Sequence, residues 1–219
     1  MPPELIIFDC DGVLIDSEGV AAAVTARELT RLGWEMDARE GMELFLGMSI
    51  HDMQPIIEAR LGRTLPAEWR SELADQYRDA LAEQARIIPG AREMLRRVNA
   101  LGIPWRVASN SSQEEMDVKF ARTGLADLTA GLTHPAASVI ARGGRPKPAP
   151  DIFLAAAAAA GVPPADCLVL EDSPLGVTGA VAAGMRTYGF DPHGDGAALR
   201  AAGAIAVLRR LDELFGVLE

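Results

Sequence analysis

The chain has 219 residues, 49% of them apolar and 24% charged, with a formal net charge of −10. This is an ordinary globular mixture, long enough for one large core or a core with a smaller inserted domain. The acidic balance argues against a nucleic-acid coat or a binder of anionic membranes, so an anionic ligand would need local cations.

The N-terminal stretch "MPPELIIFDCD" lacks the basic region and long apolar segment of a signal peptide. The longest apolar run, "IFLAAAAAAGV", falls short of the ~18 residues that span a bilayer. A soluble cytoplasmic protein is expected. Residues 5–9 read as a short buried strand running straight into "FDCDGVLIDSE", where Asp9 and Asp11 lie two positions apart.

From about residue 18 to 83 the pattern is helical. Trp69, Leu73, Tyr77 and Leu81 recur at four-residue steps and predict one apolar stripe on a helix, with Pro66 near its start. After "IIPG" (87–90), strands and helices alternate. "AREMLRRVNALG" is a helix and "IPWRVASN" a strand. "SSQEEMDVKFARTG" is a helix capped by serines with glutamates three residues on, with Ser111 and Ser112 as the caps. "PDIFLAAAAAAG" is a helix between Pro150 and Gly161. "CLVLED" is a strand, "SPLGVTGAVAAGM" a helix capped by Ser173, and "TYGF" and "AIAVL" are two further short strands. The alternation predicts an α/β fold with a doubly wound parallel sheet. The core spans 1–16 and 87–219, with a helical cap domain, 17–86, inserted after the first strand. Cys10 and Cys167 are expected as buried free thiols, too few for a zinc site. His51, His134 and His193 share no spacing and receive no role.

Ligands of open α/β sheets bind beyond the carboxyl ends of the strands. Three strands end there in polar residues: "IIFDCD", "RVASN" and "LVLED". Lys147 lies in the loop "GGRPKPAP". Asp9, Asp11, Ser109, Asn110, Lys147, Glu171 and Asp172 can therefore converge on one crevice. Two carboxylates ~4 Å apart repel by about 4 kcal/mol at an effective dielectric of 20. A cluster of three or four thus implies a cation, and one lysine offsets only part of the charge. Oxygen-only ligands favour Mg²⁺. A metal beside a carboxylate, a lysine and a hydroxyl suits phosphoryl transfer through an aspartyl-phosphate. The second acid is placed to protonate the leaving group and then activate water. An EF-hand register would put Ile7 at its first ligand position, which opposes a calcium loop.

With these residues in place, the chain closely resembles the haloacid dehalogenase (HAD) superfamily of phosphohydrolases. "DCDGVLIDSE" matches its first motif, D-x-D-G-(V/T)-L-x-D-(S/T). "VASNSS" matches the second, "KPAPDIF" the third and "LVLEDSPLGVTGAVAAGM" the fourth. The helical insertion resembles the cap of the subfamily that includes β-phosphoglucomutase and sugar-phosphate phosphatases.

The resemblance implies Asp9 as nucleophile and Asp11 as general acid/base. It implies Mg²⁺ held by the Asp9 carboxylate, the Asp11 backbone carbonyl and Asp172, with Glu171 supporting the metal shell. Ser109 and the Asn110 backbone N–H would hold phosphoryl oxygens, and Lys147 would bridge nucleophile and phosphate. Gly47 would belong to a specificity loop on the cap, with a helix C-cap as its other reading. Hinges are expected near Ser17 and residues 87–90.

The expected partner is a small phosphorylated substrate such as a sugar phosphate, with neither nucleic acid nor membrane, in a monomer or weak dimer. Ala21 and Ile50 stand where the mutase pattern has a histidine and an arginine, so hydrolysis is favoured over a β-phosphoglucomutase-like mutase. A phospho-accepting receiver module is a third reading, opposed by the helical insertion and by Asp11.

Overall fold

The computed structural model describes residues 2–45 and 47–218. Eight strands are present among them: β1 (Leu5–Phe8), β2 (Ile15–Asp16), β3 (Arg86–Ile87), β4 (Trp105–Ser109), β5 (Thr133–Pro135), β6 (Cys167–Glu171), β7 (Arg186–Phe190) and β8 (Val207–Leu208). The helices are α1 (Glu18–Leu32), α2 (Ala38–Phe45), α3 (Ile50–Leu61), α4 (Trp69–Gln84), α5 (Ala91–Ala100), α6 (Gln113–Thr123), α7 (Ala126–Thr129), α8 (Ala136–Ile140), α9 (Asp151–Ala160), α10 (Pro174–Ala182), α11 (Ala197–Ala201) and α12 (Leu214–Val217).

Six strands form one parallel sheet in the order β5-β4-β1-β6-β7-β8. The chain builds outward from β1 through β4 to β5, then returns to the other side of β1 for β6, β7 and β8. The strand order therefore reverses at β1 and β6. A crevice opens at the carboxyl ends where such a reversal occurs, and it opens here beside Asp9 and Glu171. This is the doubly wound α/β architecture that the alternation predicts.

Side chains alternate across the sheet with period two, and both faces are buried. Ile6, Phe8, Trp105, Val107, Leu168 and Leu170 share one apolar cluster. Leu5, Ile7, Ala108, Cys167 and Val169 join the alanines of α9 and α10 on the other face. Cys10 and Cys167 fall in different clusters and are both buried free thiols.

Between β2 and β3 the regular elements of the described residues are all helices, α1 to α4. The stripe Trp69, Leu73, Tyr77, Leu81 is buried along α4, each side chain contributing about 1.5–3 kcal/mol by leaving water. It shares a cluster with Met116 and Phe120 of α6, so the helical block and one sheet face have continuous apolar packing. The strands leading into and out of the block pair antiparallel, Ile15 with Ile87 and Asp16 with Arg86. The chain therefore enters and leaves the block side by side.

The sequence pattern does not announce β5, whose three residues "THP" include a proline and no alternation. Proline is tolerated because β5 is an edge strand. The "AIAVL" strand is confined to Val207 and Leu208.

Candidate active site

Asp9 follows β1 and donates its backbone N–H to the Leu170 carbonyl, which ties the first motif to β6. The loop after it folds back tightly, with Leu14 and Ile15 both donating to the Cys10 carbonyl. Gly12 sits at φ +73° in this loop, and a Cβ there would lie 1.7 Å from Asp172 Oδ2. Only glycine permits both the left-handed backbone and the approach of this loop to Asp172. Gly176 plays the matching part on α10, where a Cβ would lie 1.7 Å from Glu171 Oε1.

Lys147 Nζ donates to Asp9 Oδ1 at 2.5 Å and to Glu171 Oε1 at 2.5 Å. The other Glu171 oxygen accepts from Ser173 N at 2.8 Å and Ser173 Oγ at 3.0 Å. Ser173 also caps α10 by accepting from Gly176 N. Burial by itself would lower the Lys147 pKa, but the Asp9 and Glu171 carboxylates more than reverse this and hold it above the ordinary lysine range. Burial dominates at Asp9. Lys147 opposes it, Glu171 and Asp11 add to it, and the Asp9 carboxyl is raised to about 7. Asp172 is pushed well above its ordinary value by burial and by the neighbouring acids Glu171, Glu18 and Asp9.

Asp9, Glu171 and Asp172 each offer an oxygen within 4.8 Å of the others. All donors are oxygen, the group is rich in carboxylates, and burial disfavours its charge. These properties fit a hard divalent cation such as Mg²⁺. Glu18, to which the sequence alone assigns no role, hydrogen-bonds Asp172 at the margin of this cluster.

Asp11 points elsewhere. Its carboxylate accepts from Ser109 Oγ at 3.2 Å, from Ser111 Oγ at 2.9 Å and from Ser17 Oγ. Lys119 Nζ reaches both its oxygens, at 2.7 and 2.9 Å, and Ser111 Oγ at 2.7 Å. Burial would raise the Asp11 pKa, but the Lys119 charge and these hydrogen bonds bring it below the usual carboxylate value. Lys119 is 1% exposed.

The sequence reading missed Lys119, although α6 carries a signal. Glu115, Met116, Lys119 and Phe120 are its buried residues, so the lysine lies on the inward face at helical spacing. The α6 cap is also corrected. Ser112 and Glu115 form the reciprocal capping box, whereas Ser111 turns its hydroxyl to Asp11, where Lys119 offers a stronger, charge-assisted partner.

Asn110 joins three segments. Its side-chain amide donates to the Gly47 carbonyl at 2.8 Å and accepts from Lys147 N at 3.0 Å. Gly47 has φ +74°, and a Cβ there would come within 3.2 Å of Ser173 Oγ. The backbone of the helical block thus approaches the core closely at this glycine. A cavity of about 280 Å³ lies between the two, with Asp9, Asp11, Ser109, Lys147 and Asp172 on the core side and Ala21, Met42 and Ile50 on the other.

Residues 3–184 match the family model of haloacid dehalogenase-like hydrolases. The chain belongs to that family. A probable pseudouridine-5'-phosphatase of Drosophila melanogaster is 34% identical over 82% of this chain and 78% of its own length. A conserved haloacid dehalogenase-like protein of unknown function from Agrobacterium tumefaciens superposes with a TM-score of 0.79. It is 37% identical and covers 98% of this chain and 97% of its own. A HAD family hydrolase from Deinococcus radiodurans, solved with bound phosphate and sodium, gives a TM-score of 0.75 at 31% identity over 99% and 95% of the two chains. Several curated relatives of this HAD chain are named phosphatases, among them a hexitol phosphatase and a 6-phosphogluconate phosphatase of Escherichia coli, and this chain is a phosphoric monoester hydrolase. No helix among the described residues is long and apolar enough to cross a membrane.

Proposed function

We propose that this HAD protein is a Mg²⁺-dependent phosphomonoester hydrolase acting on a small phosphorylated metabolite through an aspartyl-phosphate on Asp9. The observation that carries the reading is the placement of Asp9. It is bonded to Lys147, grouped with Glu171 and Asp172, and open to a cavity that Asp11 also lines.

Mg²⁺ would be held by the carboxylates of Asp9 and Asp172 with the Asp11 backbone carbonyl, Glu171 supporting them, and would supply electrostatic neutralisation of the phosphate oxygens. An Asp9 carboxylate oxygen attacks phosphorus, and the bond from phosphorus to the ester oxygen breaks. Asp11, entering this step in its protonated form, passes that proton to the departing oxygen and is left ionised. A water then attacks the phospho-Asp9 phosphorus with Asp11 as base, freeing phosphate and restoring the Asp9 carboxylate. Lys147 keeps Asp9 oriented and offsets charge on the transferred group. Ser109 and the Asn110 backbone N–H hold phosphoryl oxygens.

Residues 17–86 serve as a lid domain on the core formed by 1–16 and 87–219, with Gly47 on its inner surface. Motion about the β2–β3 ribbon admits substrate and closes water out. Ala21 and Ile50 line the cavity and offer a second phosphate no charge, which opposes the mutase reading.

Asp9→Asn tests the nucleophile. Phosphate release from p-nitrophenyl phosphate is expected with Mg²⁺, to vanish with EDTA, and to fall at least ~10³-fold in the variant, as for loss of a residue on which a covalent path depends. Wild-type turnover by Asp9→Asn would refute the assignment.

A further inference from the structure

The wall of the cavity facing the phosphate site is unusually short of polar groups free to read a substrate. Among the described lining residues the only cations are Lys119 and Lys147. Both are committed, Lys119 to Asp11 and Lys147 to Asp9 and Glu171. Six carboxylates line the same space: Asp9, Asp11, Glu18, Glu115, Glu171 and Asp172. Three of these surround the proposed Mg²⁺, and beyond that ion a second anionic group on the substrate would meet no free counter-charge.

The neutral polar groups on this wall already have partners within the protein. Thr25 Oγ1 donates to the Ala21 carbonyl, and its oxygen shares a 2.5 Å hydrogen bond with Tyr77 Oη. Ser49 is bonded to Asp52, and Ser112 to Glu115. The Asn110 side chain is held by Gly47 and Lys147. What remains toward the substrate is Met42, Phe45, Met48, Ile50 and Met53, with Ile140 from α8. Methionine is polarisable and adapts to apolar shapes, and such a lining rewards apolar area rather than hydroxyls. The volume, about 280 Å³, is at the lower edge of small-molecule sites, which run from ~300 to 1,000 Å³.

We infer that the alcohol portion of the substrate is small, uncharged and largely apolar, a simple aliphatic or single-ring alcohol rather than a sugar acid or a second phosphate ester. The inference rests on the phosphatase reading above and deepens it.

The test compares kcat/KM of the full-length enzyme with Mg²⁺ on 2-phenylethyl phosphate, glycerol 3-phosphate and 6-phosphogluconate. All three are esters of primary alcohols, so differences report the pocket more than the leaving group. The phenylethyl ester is expected to lead each of the others by at least ten-fold. Ile50→Arg, which places a cation on this wall, should improve 6-phosphogluconate relative to the phenylethyl ester by at least ten-fold. A wild-type preference for the polyol or the sugar acid overturns the inference while leaving the phosphatase reading intact. So does hydrolysis of p-nitrophenyl phosphate with none of the three turned over. Failure on all four esters overturns both.

Discussion

Asp11 receives four side-chain partners, and one of them, Lys119, is a buried ammonium whose donors are spent on Asp11 and Ser111. Such a pair is strongly coupled, since removing one member leaves the other's charge without its partner. Lys119→Met should cost about 2–3 kcal/mol in a urea titration, below the usual ~3–5 kcal/mol for a fully buried pair because Asp11 faces the cavity. It should also lower kcat by about 10²-fold, the lower end of what a general acid/base supplies. The pH profile separates a positioning role from a merely structural one. Lys119 holds Asp11 below its ordinary pKa against the effect of burial. Without that charge the Asp11 pKa rises. Activity that needs the ionised base is lost on acidification through that pKa, so with Mg²⁺ saturating, which keeps the Asp9 nucleophile deprotonated, the acidic limb of kcat must move to higher pH. An unmoved limb would remove Lys119 from the chemistry. At this scale Asp9, Asp11, Lys147 and Asp172 are legible only together, by recurring in order at strand carboxyl ends and in one loop, since each alone reads as a turn aspartate or a solvated lysine. Lys119 is harder to find because a lysine in mid-helix reads as solvated, and only its register with Met116 and Phe120 says otherwise.

Among the elements, α4 settles how the helical block is held. Its inward stripe was readable from four-residue spacing alone, and all four residues are buried. What spacing does not reveal is the far side of the contact, because an apolar stripe specifies burial but not a partner. The partner is α6 of the core as well as α1 and α3 of the block. This has an energetic consequence, because the block shares its packing with the sheet. Leu73→Ala should therefore cost about 2–5 kcal/mol, the usual range for a buried leucine, and lower the single unfolding midpoint rather than loosen the block alone. Scanning calorimetry checks this. A separate early transition in the variant would show that the helices melt independently of the core. The short elements were the least legible for the same physical reason. Strands β2 and β3 have two residues each, and β5 has three, too few for a period to register, so pairing geometry rather than local preference creates them; β8 is read from "AIAVL", but only its last two residues pair.

For the molecule as a whole, the order of the strands brings acids from opposite ends of the chain together, and that convergence has a thermodynamic signature. In the metal-free protein Asp9 is raised to about 7, and Asp172 is raised well above its ordinary value, both chiefly by burial. The unfolded chain releases these protons near pH ~3.9. Between that pH and the folded values, the native state binds more protons than the unfolded state, so metal-free stability must fall as pH rises through the window. Mg²⁺ requires the same carboxylates deprotonated and competes with those protons. Its stabilisation should therefore be small near pH 5.5 and large near pH 8. At 100 times the dissociation constant, binding contributes about 2.7 kcal/mol, which for a chain of this size corresponds to a rise of roughly 5–10 °C in Tm. Thermal denaturation with and without Mg²⁺ at the two pH values reads the difference directly. Asp172→Asn should abolish the pH 8 increment. An increment equal at both pH values, or larger on the acid side, would mean that the cation does not engage Asp9 and Asp172. The strand-order reversal would then gather these acids for some purpose other than holding a metal.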